Sequence, residues 1–346
     1  MKLPIPNRIA KCLLTALATT AVAAANVQAD SYQAHPQAKQ FIDEMVKEQG
    51  FDRGQLETWF SQAERKDSIL EAIARPAERV KSWKDYRKIF VTPTRIEQGV
   101  VFWKENADIL AKASEQFGVP EEIVVAILGV ETRYGAHKGS YRVIDALSTL
   151  AFDYPPRSKF FRKELKEFLL LAKEQGKSPM DLTGSYAGAM GYGQFMPSSY
   201  RAYAYDFNDD GFTDIWASTT DAIGSIANYF VRHGWKADQP VVVPLKAEAK
   251  HDTKLIDDNL KPSRSLSEVT SAGYLPLVKM ALPDPVRVIE LDGANGNEYW
   301  LGMHNFYVIT RYNHSTMYAL SVFQLGQAVA EAYQAEQGLA STGAEG

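Results

Sequence analysis

"VVAILGVETRYG", Val124 to Gly135, holds the driest run of the chain to end on an acid. A dry aliphatic run ends in a glutamate, Glu131, with a basic residue and an aromatic close behind. On a helix opened by Pro120, Val124, Ile127 and Leu128 lie seven, four and three residues before Glu131, so the carboxyl shares a face with three apolar side chains. Gly135 offers the stop, which puts Glu131 near the negative end of the helix dipole. Desolvation and the dipole both disfavour the anion, so such a glutamate can hold its proton near neutral pH and donate it to a leaving group. The competing reading is a carboxylate that points into solvent at the helix end or pairs with a nearby base.

Outward from this stretch the chain reads as helical from about Pro36 to Lys173. "AKQFIDEMVKEQG" repeats apolar residues at spacings of three and four, with Gly50 as its stop. "RGQLETWFSQA" and "SILEAIARPAERV" predict short helices, and "RIEQGVVFWKENADILAKASEQFG" one long helix ending at Gly118. "FFRKELKEFLLLAKEQG" is strongly amphipathic, and further helices are expected near Asp221 to His233 and Ser315 to Tyr333. Between those two the period changes. "PVVVPL", "PVRVIELDG", "EYWLG" and "FYVITRY" predict strands, with "GANGN" a turn. A small β-containing insert from about residue 236 to 300 therefore interrupts a helical protein, and the tail after Gln334 is expected to fray.

A second signal is "GSYAGAMGYGQFMPSSY", Gly184 to Tyr200. Its glycines let backbone approach a ligand or another helix closely. Ser185, Gln194, Ser198 and Ser199 bring neutral hydrogen-bonding groups, and Tyr186, Tyr192 and Phe195 bring flat apolar faces. That mixture suits a sugar, whose rings present CH patches and whose rims present hydroxyls; a helix-packing loop explains the glycines equally well.

A third is "DFNDDGFTDIW". Asp206, Asn208, Asp210 and Asp214 occupy the first, third, fifth and ninth places of a calcium loop, Gly211 the sixth, and Phe212 would offer its carbonyl at the seventh. The twelfth place fails, because Ala217 stands where a bidentate glutamate belongs; Asp221 could close the shell from the next helix. Hard oxygen donors without His or Cys favour Ca2+ over zinc, in a structural role, against the plain reading of a solvated Asp/Asn turn. His137, His233, His304 and His314 lack metal spacing, and no P-loop, dinucleotide or G-x-S-x-G fingerprint occurs. "RYNHSTMY", Arg311 to Tyr318, gathers aromatics at an expected strand-to-helix junction, where Ser315 suits a helix N-cap and Tyr312, Asn313 and Tyr318 could wall a groove.

The N-terminus reads as a cleaved signal: Met1 to Ala29 carries Lys2, Arg8 and Lys11, then an apolar stretch, then "VQA". The only cysteine, Cys12, follows Lys11 and does not suit lipidation. Without this segment the 38 Lys+Arg fall to 35 against 42 Asp+Glu, a net charge of -7. Such a chain is a poor binder of nucleic acid or anionic membranes, and with no cysteine left it has no disulfides to rely on. A soluble protein outside the cytoplasm is expected.

With these segments in view the chain resembles the B family of lytic murein transglycosylases, enzymes that cleave the glycan strands of bacterial peptidoglycan. "GVETRYG", "RVIDALSTLAFDYPPR", "GAMGYGQFMPSSY", "DFNDDGFTDIW" followed by "DAIGSIANYF", and "YNHSTMY" carry the resemblance, from about Trp83 to Val322. It implies an α+β, predominantly helical fold: a lysozyme-like core at residues 101–235 and 301–333, an added helical region at 30–100, and the small β subdomain. It implies Glu131 as the single catalytic acid, and Tyr86, Arg157, Ser185, Gln194, Tyr229, Tyr312, Asn313 and Tyr318 as the lining of the glycan groove. Asp206, Asn208, Asp210, the Phe212 carbonyl and Asp221 are implied as ligands of a structural Ca2+. Pro156 stands where relatives often carry a second arginine, and the Asp210-to-Asp221 spacing is one residue longer. The implied partners are peptidoglycan strands and proteins of cell-wall synthesis or turnover; the implied place is the periplasm.

A glycosidase of the usual kinds needs two carboxylates. Asp145 and Asp153 are the candidates for a second one if the fold brings them close. One acid suffices if the substrate supplies the nucleophile, as the resemblance implies. The rivals are a hydrolytic muramidase and a non-catalytic peptidoglycan-binding scaffold.

Overall fold

The computed structural model describes residues 31–74 and 81–343, with side chains described to residue 338. The expected signal segment, Cys12 included, lies outside the described residues. The chain divides into two compact units at Arg65/Lys66. In the first, α1 (Pro36–Gln49) and α2 (Arg53–Gln62) pack through Phe41 and Phe60, whose rings meet edge-on at 5.8 Å. Pro36 opens α1, and Gly50 closes it in the left-handed conformation that suits glycine.

The second unit holds the remaining elements. They run α3 (Asp67–Ile73), α4 (Trp83–Phe90), α5 (Pro93–Glu105), α6 (Ala107–Phe117), α7 (Glu121–Thr132), β1 (Tyr141–Arg142), α8 (Val143–Phe152), α9 (Ser158–Glu174), β2 (Thr183–Gly184), α10 (Pro197–Tyr203) and α11 (Thr219–Arg232). Then come β3 (Val242–Ala247), α12 (Leu266–Ser271), β4 (Tyr274–Pro276), β5 (Arg287–Gly293), β6 (Gly296–Gly302), α13 (His304–Tyr312) and α14 (Thr316–Gly343). At the centre lies α7, buried almost all round from Ile123 to Val130. Each of its fully buried Ile, Val and Leu side chains contributes ~1.5–3 kcal/mol of hydrophobic transfer. Gly326 lets α14 approach α7 closely: a Cβ there would come within 2.8 Å of the Glu122 carbonyl.

The insert is an antiparallel sheet in the order β4-β3-β6-β5, with β5 and β6 joined across Gly293 and Gly296 as the "GANGN" turn predicts. One face of the sheet packs its own small core, with Val243, Leu245, Val288, Leu301 and Tyr274 among its residues.

Four expectations need correction. "FYVITRY" lies in helix α13, not a strand; Phe306, Val308, Ile309 and the hydroxyl-bearing Thr310 are buried together, a pattern too short to separate helix from strand by period alone. The long helix to Gly118 is two, broken at Asn106, which leaves helical geometry and bonds its amide back to the Phe102 carbonyl at 2.9 Å. The expected domain edge at 100/101 falls within α5, whose first turn is hydrogen-bonded to α7 through Arg95 and the Gly129 carbonyl. The tail past Gln334 stays helical to Gly343. Among the described residues no helix is long and apolar enough to cross a membrane.

Candidate active site

Glu131 sits in the last turn of α7, as its spacing predicts, and its side chain meets α14. The Tyr318 hydroxyl donates to Glu131 Oε1 at 2.5 Å. Tyr318 is 2% exposed. Ser315 positions it: the Ser315 Oγ accepts the Tyr318 backbone N–H at 3.2 Å, the N-cap bond expected for that residue. Burial, and then the charge of Glu131, push the Tyr318 phenol well above its ordinary range, so it remains a donor at any working pH.

Around this pair the structure assembles an aromatic wall. Tyr312 closes α13 and donates to the Gly193 carbonyl at 2.6 Å. Burial and the charge of Glu131 raise its phenol as well. A Cβ at Gly193 would lie 2.8 Å from that hydroxyl, so the glycine is required for the approach. Tyr229 of α11 packs against Tyr312 at 4.7 Å and donates to the Arg311 carbonyl at 2.6 Å; Phe195 lies 5.8 Å from both rings. Tyr86, buried on α4, is close enough to act electrostatically on Tyr318. Gln194, at φ 51°, donates its side-chain amide to the carbonyls of Lys138 and Gly191 at 3.2 and 2.9 Å. Asn313 caps α13, and its carbonyl accepts from Ser315 N–H at 2.7 Å.

Two expected lining residues stand apart from this cluster in their described contacts. Ser185 turns inward on its own loop, accepting from the Ala189 N–H at 3.1 Å. Arg157 lies over the Phe160 ring at 4.4 Å. Of the two candidate second carboxylates, Asp145 is buried in the first turn of α8 and ion-paired to Arg142 at 2.8 Å, and Asp153 ends that helix.

Several contributors escaped the sequence reading. The Thr132 hydroxyl donates to the Tyr192 carbonyl at 2.9 Å and accepts from Gly135 N–H at 3.0 Å, tying the end of α7 to the glycine-rich loop. Lys138 sits over the Tyr192 ring at 4.1 Å. Glu164 of α9, buried, accepts both the Ser198 N–H at 2.9 Å and its hydroxyl at 2.8 Å, and so holds the start of α10. The one available signal was a lone acid in the apolar stripe of an amphipathic helix.

In the acidic loop the side chains already shape the turn. The Asp206 carboxylate accepts from Asp210 N–H and Gly211 N–H at 3.2 and 2.7 Å, Asn208 Oδ1 from Asp210 N–H at 3.2 Å, and Asp210 Oδ1 from Phe212 N–H at 2.9 Å. Asp214 caps Trp216 and Ala217 instead. Phe207 anchors the loop against Gly224 of α11, where a Cβ would come within 2.5 Å of it. Asp221 is fully buried and accepts from Phe207 N–H and Asp214 N–H at 3.1 and 2.8 Å. Burial raises its carboxyl, and the charges of Asp206 and Asp210 raise it further. Three carboxylates so placed repel one another, and a hard cation is the species that relieves it. Among the described residues no three His, Cys, Asp or Glu side chains form a ready metal cluster. The expected donor set holds three such carboxylates, Asp206, Asp210 and Asp221, which are not gathered into a cluster; its fit to calcium lies in the kind of donor, all hard oxygen with an amide and a main-chain carbonyl among them. The donor chemistry fits calcium.

The family model for the transglycosylase SLT domain matches residues 33–327. Over 305 residues the chain is 47% identical to the membrane-bound lytic murein transglycosylase B of Escherichia coli (strain K12), covering 86% of this chain and 83% of that one. The soluble lytic transglycosylase SltB1 of Pseudomonas aeruginosa superposes with a TM-score of 0.82 at 52% identity, covering 86% of this chain and 99% of that one. The lytic transglycosylase Slt35 of Escherichia coli, in complex with calcium, superposes with a TM-score of 0.80 at 46% identity, covering 89% and 97%. The lysozyme-like, predominantly helical α+β fold that the motifs imply is the one observed.

Proposed function

We propose that Glu131 is both acid and base in this chain, which belongs to the transglycosylase SLT-domain family and is a lytic murein transglycosylase, an enzyme. The substrate is the β-1,4 bond between N-acetylmuramic acid and N-acetylglucosamine. Protonated Glu131 donates to the bond oxygen as the C–O bond breaks. The acetamido group of the muramic acid stabilises the positive charge at C1. Glu131, now an anion, takes the proton of the same sugar's 6-hydroxyl, whose oxygen closes onto C1. The product carries a 1,6-anhydro end, and no water is consumed.

The observation that supports this best is the Tyr318–Glu131 hydrogen bond beside the Tyr312–Tyr229–Phe195 wall. The carboxyl alternates between two states, and each part of its surroundings favours one. The apolar residues of α7 beside the half-buried carboxyl and the end of the α7 dipole favour the acid; the Tyr318 donor favours the anion and holds the carboxyl in orientation. Asp145 is engaged by Arg142, in keeping with one working carboxylate. Tyr86, Gln194, Tyr229, Tyr312, Asn313 and Tyr318 line the groove. Ser185 and Arg157 belong to its outer reaches, where the sugar's substituents extend.

Asp206, Asn208, Asp210, the Phe212 carbonyl and Asp221 hold calcium, which neutralises the loop and fixes it to α11. In the same reading the N-terminal segment directs export to the periplasm, the β insert is a separate subdomain, and cell-wall synthesis or turnover proteins are further partners. A direct test incubates murein sacculi with the wild type and with Glu131→Gln. Sacculi bound by both but solubilised only by the wild type support the assignment. Solubilisation by the variant removes Glu131 from the chemistry.

A further inference from the structure

The chain bends sharply just after Glu131. Arg133 and Tyr134 both adopt left-handed backbone, at φ 51° and 57°, and neither is glycine. Such a pair persists only where its surroundings hold it. Arg95, in the first turn of α5, is 8% exposed, and its Nη1 donates to the Gly129 carbonyl at 3.1 Å, two residues before Glu131. Its own carbonyl accepts from the Tyr134 hydroxyl at 3.0 Å, three residues after Glu131.

The Tyr134 ring fills a slot that two glycines leave open. A Cβ at Gly99 of α5 would lie 2.5 Å from its hydroxyl, and one at Gly129 of α7 would lie 2.6 Å from it. Phe102 stacks on the ring at 5.6 Å and 26°. Arg95 is an unusual choice for mere filling. Among the described residues no carboxylate pairs with it, its Nε finds no partner, and burial lowers its pKa. A buried cation without a counter-charge is costly, and the compensating charge here is the negative end of α7.

We infer that Arg95 and Tyr134 are positioning residues for Glu131: the Arg95 guanidinium holds the Gly129 carbonyl before the carboxyl, the Tyr134 hydroxyl after it is tied to the Arg95 carbonyl, and the two bonds fix where α7 presents Glu131 to Tyr318. The inference rests on Glu131 as acid and base. A position held by two hydrogen bonds to backbone governs the chemical step more than substrate binding, because none of the proposed groove residues lies on α5 or in the bend at Arg133 and Tyr134.

The test is steady-state kinetics on a defined soluble murein oligosaccharide. Tyr134→Phe, Arg95→Met, Arg95→Lys and Glu131→Gln are compared at a temperature where circular dichroism shows each folded. Arg95→Met and Tyr134→Phe are expected to lower kcat roughly tenfold to a hundredfold with KM unchanged within about twofold. Arg95→Lys, which keeps charge and a donor, should recover part of the loss. Unchanged kcat with only a lower Tm, or a rise in KM alone, would overturn the inference. If Arg95→Met does not fold, Tyr134→Phe decides, since it keeps the ring in its slot. Activity in Glu131→Gln would remove the underlying assignment; an inactive Glu131→Gln beside full kcat in Tyr134→Phe and Arg95→Lys would remove the positioning role alone.

Discussion

The end of α7 and the loop from Asp206 to Asp221 both gather carboxyl oxygen, and they use it in opposite ways. At α7 a single carboxyl meets a phenol donor among buried aromatics, with helix on one side and left-handed backbone on the other. In the loop, acids crowd together and each folds onto backbone N–H groups. The first arrangement makes gaining and losing a proton easy. The second makes keeping negative charge useful, provided a cation comes. A carboxyl set against a phenol donor at a helix end is placed for proton transfer, and carboxylates folded onto one loop are placed for a metal.

The difference can be broken most severely at Glu131. Glu131→Gln should lower kcat by about a thousandfold or more, with Tm within a degree or two of wild type, measured by turbidity loss of sacculi and by calorimetry. Tyr318→Phe should follow with a roughly tenfold to hundredfold loss, the scale of one hydrogen bond of ~1.5–3 kcal/mol to a charged group. A Tyr318→Phe enzyme as active as wild type would leave the phenol with packing alone.

The two regions were not equally legible. The loop announced itself because its donors follow one another in the chain, and Gly211 at φ 85° fills the place the sharp turn demands. Glu131 was legible from Val124, Ile127 and Leu128, because a helix repeats its face locally. Its partners were not. Tyr318 lies 187 positions away and Gly193 meets Tyr312 across 119, and helix periodicity carries no information about which faces meet. Arg133 and Tyr134 were visible as an oddity behind Glu131, but the slot that explains Tyr134 needs Gly99 from α5. "FYVITRY" misled because β-branched and aromatic residues favour strands in general, whereas here α13 is set by what it packs against.

On the loop side effects should appear in stability and not in the chemical step. Calcium at about a hundred times its Kd should add ~2.7 kcal/mol, a rise in Tm of roughly 4–5 °C, with kcat changed by less than about twofold. Asp221→Asn should abolish that rise, since an amide N–H2 would face a backbone N–H on one side of the buried site. Equal calcium responses in wild type and Asp221→Asn would remove Asp221 from the ligand set.

The smallest effect lies behind the aromatic wall. His233 stacks on Tyr229 at 4.0 Å, and burial lowers its pKa, as does Arg311. A histidine with a depressed folded pKa stays neutral in the native state while the unfolded chain takes up a proton. Its contribution is therefore intact above the unfolded value of about 6.5 and is lost as pH falls below it toward the folded value. His233→Gln should flatten the pH dependence of Tm in that window and leave it unchanged above. An identical slope in both proteins would show the ring to be indifferent to its charge.

If one carboxyl does the work of two, products made in heavy-oxygen water carry the signature, read by mass spectrometry. Soluble muropeptides lighter by one water than hydrolysed ones, without heavy oxygen, and absent with Glu131→Gln, are expected. Reducing ends that carry the heavy oxygen would contradict it, because water would then be the nucleophile and a second carboxylate would be needed to activate it.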